Sequence, residues 1–478
     1  MNTSSFITRL AAGGWRLAAG GLALAALSSC GGGGSGGTAI TSPTAPSNSN
    51  ITSVIPIQSF TDLPQAIQRL GDLPREFPHI EAVNGRTVTV SMPAAPGYLL
   101  ISLKAGLTVS QKDSVRSQIK EYGGEVIAHD IFFDVFQVKI SAAAEPAFIN
   151  KTILNENVLS VNPDYIVRES SEGFCRDDGI NNQKSNTGSD LWWRDAIKVG
   201  QATSLIRENT SIRESTITTP ILGIVDIFEK SAIQNFNKIY PGMISSRFTY
   251  LNTIEPLLGA GSAHGMVVAA FAAGETIGVH RVGSVLLSDR SESSSFSTSG
   301  RYLEAFKSLI INDVKVINFS IGSGAINCGD TNEQKLLKIK KFRASLIPVT
   351  EKLMSSDILL VWPVGNWGVD NDDQILLDLD AKNSPNFGKN IIFVGGTSVF
   401  GDLPANFSGS GKVINIFAPS EGLGLANSPQ DTSTTTKGTS YAGPQVAGAA
   451  ANVRFVNPTY TAAQIKNALL KDHVQNSV

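Results

Sequence analysis

Gly438-Thr439-Ser440-Tyr441-Ala442-Gly443-Pro444-Gln445-Val446-Ala447-Gly448 places a small-residue turn, a serine and a helix start in one short segment. A serine at a helix N-terminus has backbone N–H groups aimed at whatever its oxygen attacks. An attacked carbonyl oxygen becomes negative, so those donors help where charge develops. The segment therefore reads as a site for a nucleophilic hydroxyl. Gly33-Gly34-Ser35-Gly36-Gly37 also fits Gly-x-Ser-x-Gly, but it sits in low-complexity sequence with no strand before it and no helix after it.

Three upstream segments supply the groups such a serine needs. Thr219–Asp226 reads as a buried apolar strand ending in a carboxylate. Ser262–Ala270 puts His264 just ahead of a small, apolar helix, and Trp362–Asn366 ends another apolar strand with an amide. The order Asp226, His264, Asn366, Ser440 resembles that of the subtilisin-like serine proteases and not that of the α/β-hydrolases or the chymotrypsin type. A serine hydrolase acting on esters through a strand–helix elbow would need serine before aspartate before histidine, which this chain lacks.

The resemblance implies a role for each residue. His264 is the general base for Ser440, Asp226 holds the imidazole tautomer, and Asn366 donates to the oxyanion. Asn318-Phe319-Ser320-Ile321-Gly322 resembles the substrate-binding strand, with Ser320, Ile321 and Gly322 pairing an extended peptide through the main chain. The chain departs from the family at three places. Ile227-Phe228 follow Asp226 where a hydroxyl residue and glycine are usual, Met266 replaces a threonine, and Gln445 replaces a histidine. A catalytically impaired binding protein on the same fold is therefore the alternative to an active endopeptidase.

The chain has 478 residues and a net charge of −2. That length fits two or three domains plus tails, and the charge gives no basic excess for nucleic acid. Arg9 and Arg16 precede the apolar run Leu17–Leu27, which ends in Leu27-Ser28-Ser29-Cys30. This pattern resembles a bacterial lipoprotein signal. It implies cleavage before Cys30, a lipid on that cysteine and a place in the bacterial cell envelope, in the periplasm or at the cell surface. An ordinary signal peptide with an incidental cysteine is the alternative.

The domains expected are a signal peptide over 1–29, a Gly/Ser/Pro-rich tether over 30–55 and an unassigned segment over 56–96. An inhibitor-like propeptide follows over 97–169, then a processing junction over 170–190 and the catalytic domain over 191–478. Within 97–167 the pattern reads β-α-β-β-α-β, a ferredoxin-like α+β unit. It resembles the propeptide that assists folding and then blocks the active site in this family, and a generic ferredoxin-like domain is the alternative. Before it, Arg86–Val90 reads as a strand whose end Pro93–Gly97 punctuates; within it, Phe136, Val138 and Ile140 alternate against Gln137 and Lys139. Beyond 221, apolar strands alternate with helices, among them a helix over Asn332–Ser355. That pattern gives an α/β fold, a mostly parallel sheet with helices on both faces and its site at the carboxyl ends of the strands.

Three cysteines are too few for a zinc ribbon-type site. Beyond Cys30, only Cys175 and Cys328 remain, and they either pair in a disulfide or stay as buried thiols. Asp370-Asn371-Asp372-Asp373 offers oxygens for Ca2+ as a structural ion or is a solvated acidic loop; its spacing fits no defined site. No cofactor is required by the chemistry read here. The partners expected are protein or peptide substrates, the chain's own propeptide, and a membrane through the lipid anchor.

Overall fold

The computed structural model describes residues 75–83, 85–168, 174–175, 191–210, 221–251, 262–290, 296–322, 324–369, 388–399, 403–425 and 435–471. The signal and tether with Cys30, most of the 170–190 junction and Asp370–Asp373 lie outside the described residues.

The first unit opens with a hairpin. β1 (Arg75–Val83) pairs antiparallel with β2 (Arg86–Leu103), turning at Gly85, whose φ of 74° suits a residue without Cβ. Helix α1 (Val109–Glu121) follows, started by a capping box between Thr108 and Gln111. Then come β3 (Glu125–Asp130), β4 (Val135–Lys139), α2 (Glu145–Thr152) and β5 (Val158–Arg168). The strands lie side by side in the order β3-β4-β2-β5, every neighbour antiparallel. Leu99, Ile101, Val115, Ile119, Phe136 and Phe148 form the core beneath the two helices.

Two expectations are corrected here. Pro93–Gly97 does not end a strand: β2 runs through it and changes partner there. Its first half pairs with β1 and its second with β4 and β5, with a register shift between Ala94 and Leu99 that absorbs the proline. The boundary expected at residue 97 therefore falls inside a strand. Nor does β4 alternate: Gln137 is buried like its neighbours. The reason is tertiary. The second face of this sheet is covered too, with Leu100, Val135 and Tyr165 sharing a core with Tyr302, Phe306 and Phe342.

The second unit is a layered α/β structure. It begins with α3 (Trp192–Ala196), α4 (Val199–Thr210), β6 (Leu222–Asp226), α5 (Lys230–Ile239), β7 (Phe248–Tyr250) and α6 (His264–Ala273). β8 (Val285–Asp289), β9 (Phe296–Thr298), α7 (Ser299–Ile311), β10 (Val316–Phe319), α8 (Asn332–Ser345) and α9 (Ile347–Ser355) come next. β11 (Leu359–Pro363), β12 (Ile391–Thr397), β13 (Ile416–Pro419), α10 (Thr439–Val456) and α11 (Ala462–Leu470) complete it. A seven-stranded sheet has the order β13-β12-β11-β10-β6-β8-β7, and each neighbouring pair is parallel.

Both faces of that sheet are buried, which is why its strands read as continuous apolar runs. Leu222, Ile224, Val316, Leu359 and Val361 pack toward α6, α10 and α11. The alternating residues Val225, Ile317, Leu360 and Trp362 pack toward α7, α8 and α9. The single helix expected over Asn332–Ser355 is two helices, broken at Leu346. Pro348 sits in the first turn of the second, where its missing N–H costs nothing. Among the described residues, no helix is long and apolar enough to cross a membrane.

Candidate active site

The site is assembled from strand ends and two helix starts. β6 ends at Asp226, which is fully buried. Its Oδ1 accepts from the backbone N–H of Ile227 at 2.8 Å and meets Nδ1 of His264 at 2.8 Å. Its Oδ2 is buried without a hydrogen-bond partner. His264 is the first residue of α6, a helix buried on nearly all sides. The next residue must be glycine: a Cβ on Gly265 would lie 2.2 Å from the carbonyl oxygen of Ile227. That contact seats the start of α6 on the end of β6 and brings imidazole to carboxylate.

Ser440 is the second residue of α10, entered through Gly438 with φ 139°, a conformation closed to ordinary side chains. Its Oγ donates to the carbonyl of Ser320 at 3.3 Å, and the Ser320 hydroxyl donates to the carbonyl of Ser440 at 2.8 Å. The helices carrying His264 and Ser440 pack directly on each other. A Cβ on Gly448 would lie 2.6 Å from the carbonyl oxygen of Ala272, so the two backbones nearly touch. Asn366 follows β11, and its Oδ1 accepts from Thr439 N at 2.8 Å and Thr439 Oγ1 at 2.9 Å. Two donors on Oδ1 fix the amide orientation and make its NH2 the donor end.

His264, Ser320, Ile321, Gly322, Asn366 and Ser440 line one cleft, with Asp226 behind the imidazole. Phe174, Arg290, Trp367, Lys437 and Tyr441 line it as well, and nothing in the motif order singled these out. Arg290 carries the one sequence signal, an arginine directly after the strand-end pair Ser288-Asp289. Trp367 lies against the backbones of Gly322 and Gly365. Cys175 and Cys328 are joined in a disulfide with Cα atoms 4.8 Å apart. It fastens Phe174 to the cleft rim, where that ring meets Phe407 edge-on at 4.9 Å. Gln445 donates to the carbonyls of Pro419 and Tyr441, both at 2.8 Å, which serves packing and not the reacting groups. Among the described residues, no group of three or more His, Cys, Asp or Glu is arranged to hold a metal.

The arrangement holds a hydroxyl, an imidazole backed by a buried carboxylate, and an amide donor around one cleft. A strand edge lies beside it: β9 pairs antiparallel with the end of β5, Ile166 opposite Thr298 and Val167 opposite Ser297. These are the components of acyl transfer to a serine with an extended chain as substrate.

Residues 253–477 match the model of the Subtilase family. The matched stretch contains His264, Asn366 and Ser440 and begins after Asp226. The chain is 30% identical over 227 residues to subtilisin-like protease 2 of Trichophyton tonsurans, covering 45% of this chain and 47% of that protein. It is 30% identical over 158 residues to subtilisin DY of Bacillus licheniformis, covering 33% and 49%. The chain thus spans about half the length of each of these relatives. Among solved structures, the epidermin leader peptide processing serine protease of Staphylococcus aureus aligns with a TM-score of 0.46 at 17% identity, over 78% of this chain and 90% of that one.

Proposed function

We propose that this protein is a serine endopeptidase that hydrolyses peptide bonds through an acyl-enzyme. The observation that carries the reading is the 2.8 Å contact between His264 Nδ1 and Asp226 Oδ1, in the same cleft as Ser440 and Asn366. In this mechanism Ser440 Oγ attacks the scissile carbonyl while His264 takes its proton. Asp226 holds the tautomer in which Nε2 is the accepting nitrogen, and it stabilises the imidazolium that forms. The carbonyl oxygen, now negative, receives the Asn366 amide and the Ser440 N–H at the helix start. His264 then returns the proton to the leaving amine, and water repeats the sequence to free the enzyme.

The first unit, from β1 to β5, serves as an inhibitory propeptide in this reading. Its antiparallel order and the pairing of its last strand with β9 support that role, because an inhibitor of a strand-binding cleft would lie along the same edge. Self-cleavage between Val167 and Leu191 releases it. The Cys30 signal places the enzyme in the cell envelope on a lipid anchor.

A fluorophosphonate probe tests the central claim. Processed protein is expected to label at Ser440, and Ser440→Ala to remain unlabelled and uncut between Val167 and Leu191. A mature protein that stays unlabelled sinks the enzyme and leaves a binding protein on this fold. A Ser440→Ala chain that is processed normally sinks self-cleavage alone. Replacing Cys30 is expected to move the protein out of the membrane fraction; unchanged fractionation removes the anchor.

A further inference from the structure

Arg290 directly follows β8 and lines the cleft that holds His264 and Ser440, yet only 2% of it is exposed. Its backbone is fully used: the N–H donates to the carbonyl of Asp226 at 3.0 Å, and its own carbonyl accepts from Ser297 Oγ. Its guanidinium lies over the ring of Tyr302, 5.2 Å from the centroid. Two of its three guanidinium nitrogens are unsatisfied. Nε and Nη1 are buried with no hydrogen-bond partner, and among the described residues no carboxylate forms an ion pair with it. The two carboxylates that end β6 and β8 are engaged through one oxygen each, and Oδ2 of Asp226 has no hydrogen-bond partner. Asp226 Oδ1 holds His264 and Ile227, and Asp289 Oδ1 accepts from Phe228 N.

A buried guanidinium with open donors is costly unless a partner arrives to fill them. Its forked N–H groups fit a carboxylate better than any other side-chain acceptor. The location says where that carboxylate comes from. Ser297, which holds the Arg290 carbonyl, is the middle residue of β9 and stands opposite Val167 of β5. β5 points its carboxyl end toward the cleft, which Phe174 lines further along the chain. A peptide running along β9 in that direction reaches Ser440 with its amino-terminal side beside Arg290.

We propose that Arg290 is a specificity-determining residue that receives an Asp or Glu side chain of the substrate, on the amino-terminal side of the cleaved bond. This rests on the protease reading above. The carboxylate enters as a bidentate partner for the open N–H groups, with the Tyr302 ring as the floor beneath the guanidinium.

The test compares quenched-fluorescent peptides that differ only in carrying Glu, Gln or Lys at each position before the cleaved bond. Full-length protein carried through its own processing is assayed as wild type, Arg290→Gln, Arg290→Glu and Arg290→Lys, with active sites counted by fluorophosphonate labelling. Wild type is expected to favour Glu over Gln at one position by about tenfold or more in kcat/KM. Arg290→Gln brings that ratio to about one, and Arg290→Glu turns the preference toward Lys. Melting temperatures report which variants fold. Should Arg290→Gln fail to fold, the wild-type ratio and Arg290→Lys, which keeps the sign of the preference, decide instead. A labelled wild type that cleaves Glu and Gln peptides equally at every position overturns the assignment of Arg290 alone. So does a folded Arg290→Gln that loses both peptides in equal measure. A wild type that neither labels nor cleaves any peptide overturns the protease reading and this one with it.

Discussion

Oδ1 of Asn366 accepts both the backbone N–H and the hydroxyl of Thr439, the residue directly before Ser440, at 2.8 and 2.9 Å. Asn366 and Ser440, the proposed oxyanion donor and nucleophile, are thus tied together, because the clamp on Asn366 is part of the turn that presents Ser440. An amide held this way needs no reorientation when charge develops, which is the condition for a preorganised donor.

Asn366→Ala is expected to lower kcat by about 10²- to 10³-fold with little change in KM, the loss seen on removing one such donor. Steady-state kinetics on a single peptide checks this. A larger rise in KM than fall in kcat would assign Asn366 to ground-state binding instead.

Asp226→Asn keeps the side chain's shape and removes its charge. The expected loss is about 10⁴-fold in kcat, because an amide favours the wrong imidazole tautomer. Fluorophosphonate labelling should slow in proportion while the melting temperature moves little. A variant within tenfold of wild type would show that the imidazole is oriented by something other than this 2.8 Å contact.

Gly265→Ala tests the seating of α6 on β6. The added Cβ would sit 2.2 Å from the Ile227 carbonyl, and backbone oxygen cannot swing aside. The start of α6 must therefore move and carry His264 with it. Such overpacking costs about 1–3 kcal/mol of stability. A displacement near 1 Å costs about 10²-fold in rate. Thermal melting and labelling rate together read both effects, and wild-type values in each would refute the contact.

His280 links stability to pH. Burial, only partly offset by its 2.8 Å hydrogen bond to Asn452, pushes its pKa down from 6.5 to about 3. Between those values the unfolded chain binds a proton that the folded chain does not. Stability therefore falls as pH drops below 6.5 and is unaffected above it. The loss by pH 5 is about 2 kcal/mol from this residue. Burial also lowers His79 to about 3, adding a loss of the same sign. His280→Gln should flatten the fall in melting temperature between pH 7 and pH 5. An unchanged slope would mean that other groups govern acid sensitivity.

The layered fold and the strand and helix ends that carry Asp226, His264, Asn366 and Ser440 were legible because their signals are local. A fully buried parallel strand must be apolar throughout, so Leu222–Asp226 and Leu359–Pro363 read as strands, the first ending in Asp226 and the second followed by Asn366. A tight turn before a helix must be small, so Gly438 and its neighbours marked Ser440. The helix break at Leu346 was legible in principle from Pro348, but the surrounding apolar periodicity continues across it.

What stayed hidden depends on contacts between distant segments. The full burial of Gln137 and the course of β2 through residue 97 follow from the second face of the sheet being covered by α7 and α8, which no local pattern encodes. The Cys175–Cys328 bridge needed two distant segments brought together, with Cα atoms 4.8 Å apart. Arg290 belongs to the same class: by sequence it is one arginine after a strand. Only folding buries it in the cleft that Ser440 lines and leaves two of its guanidinium nitrogens without a partner. Sequence by itself determined which side-chain types stand at the strand and helix ends of the cleft, because turn geometry and side-chain type are written residue by residue. Tertiary structure decided which groups are left unsatisfied in the cleft, because burial and hydrogen bonding are properties of the packed whole.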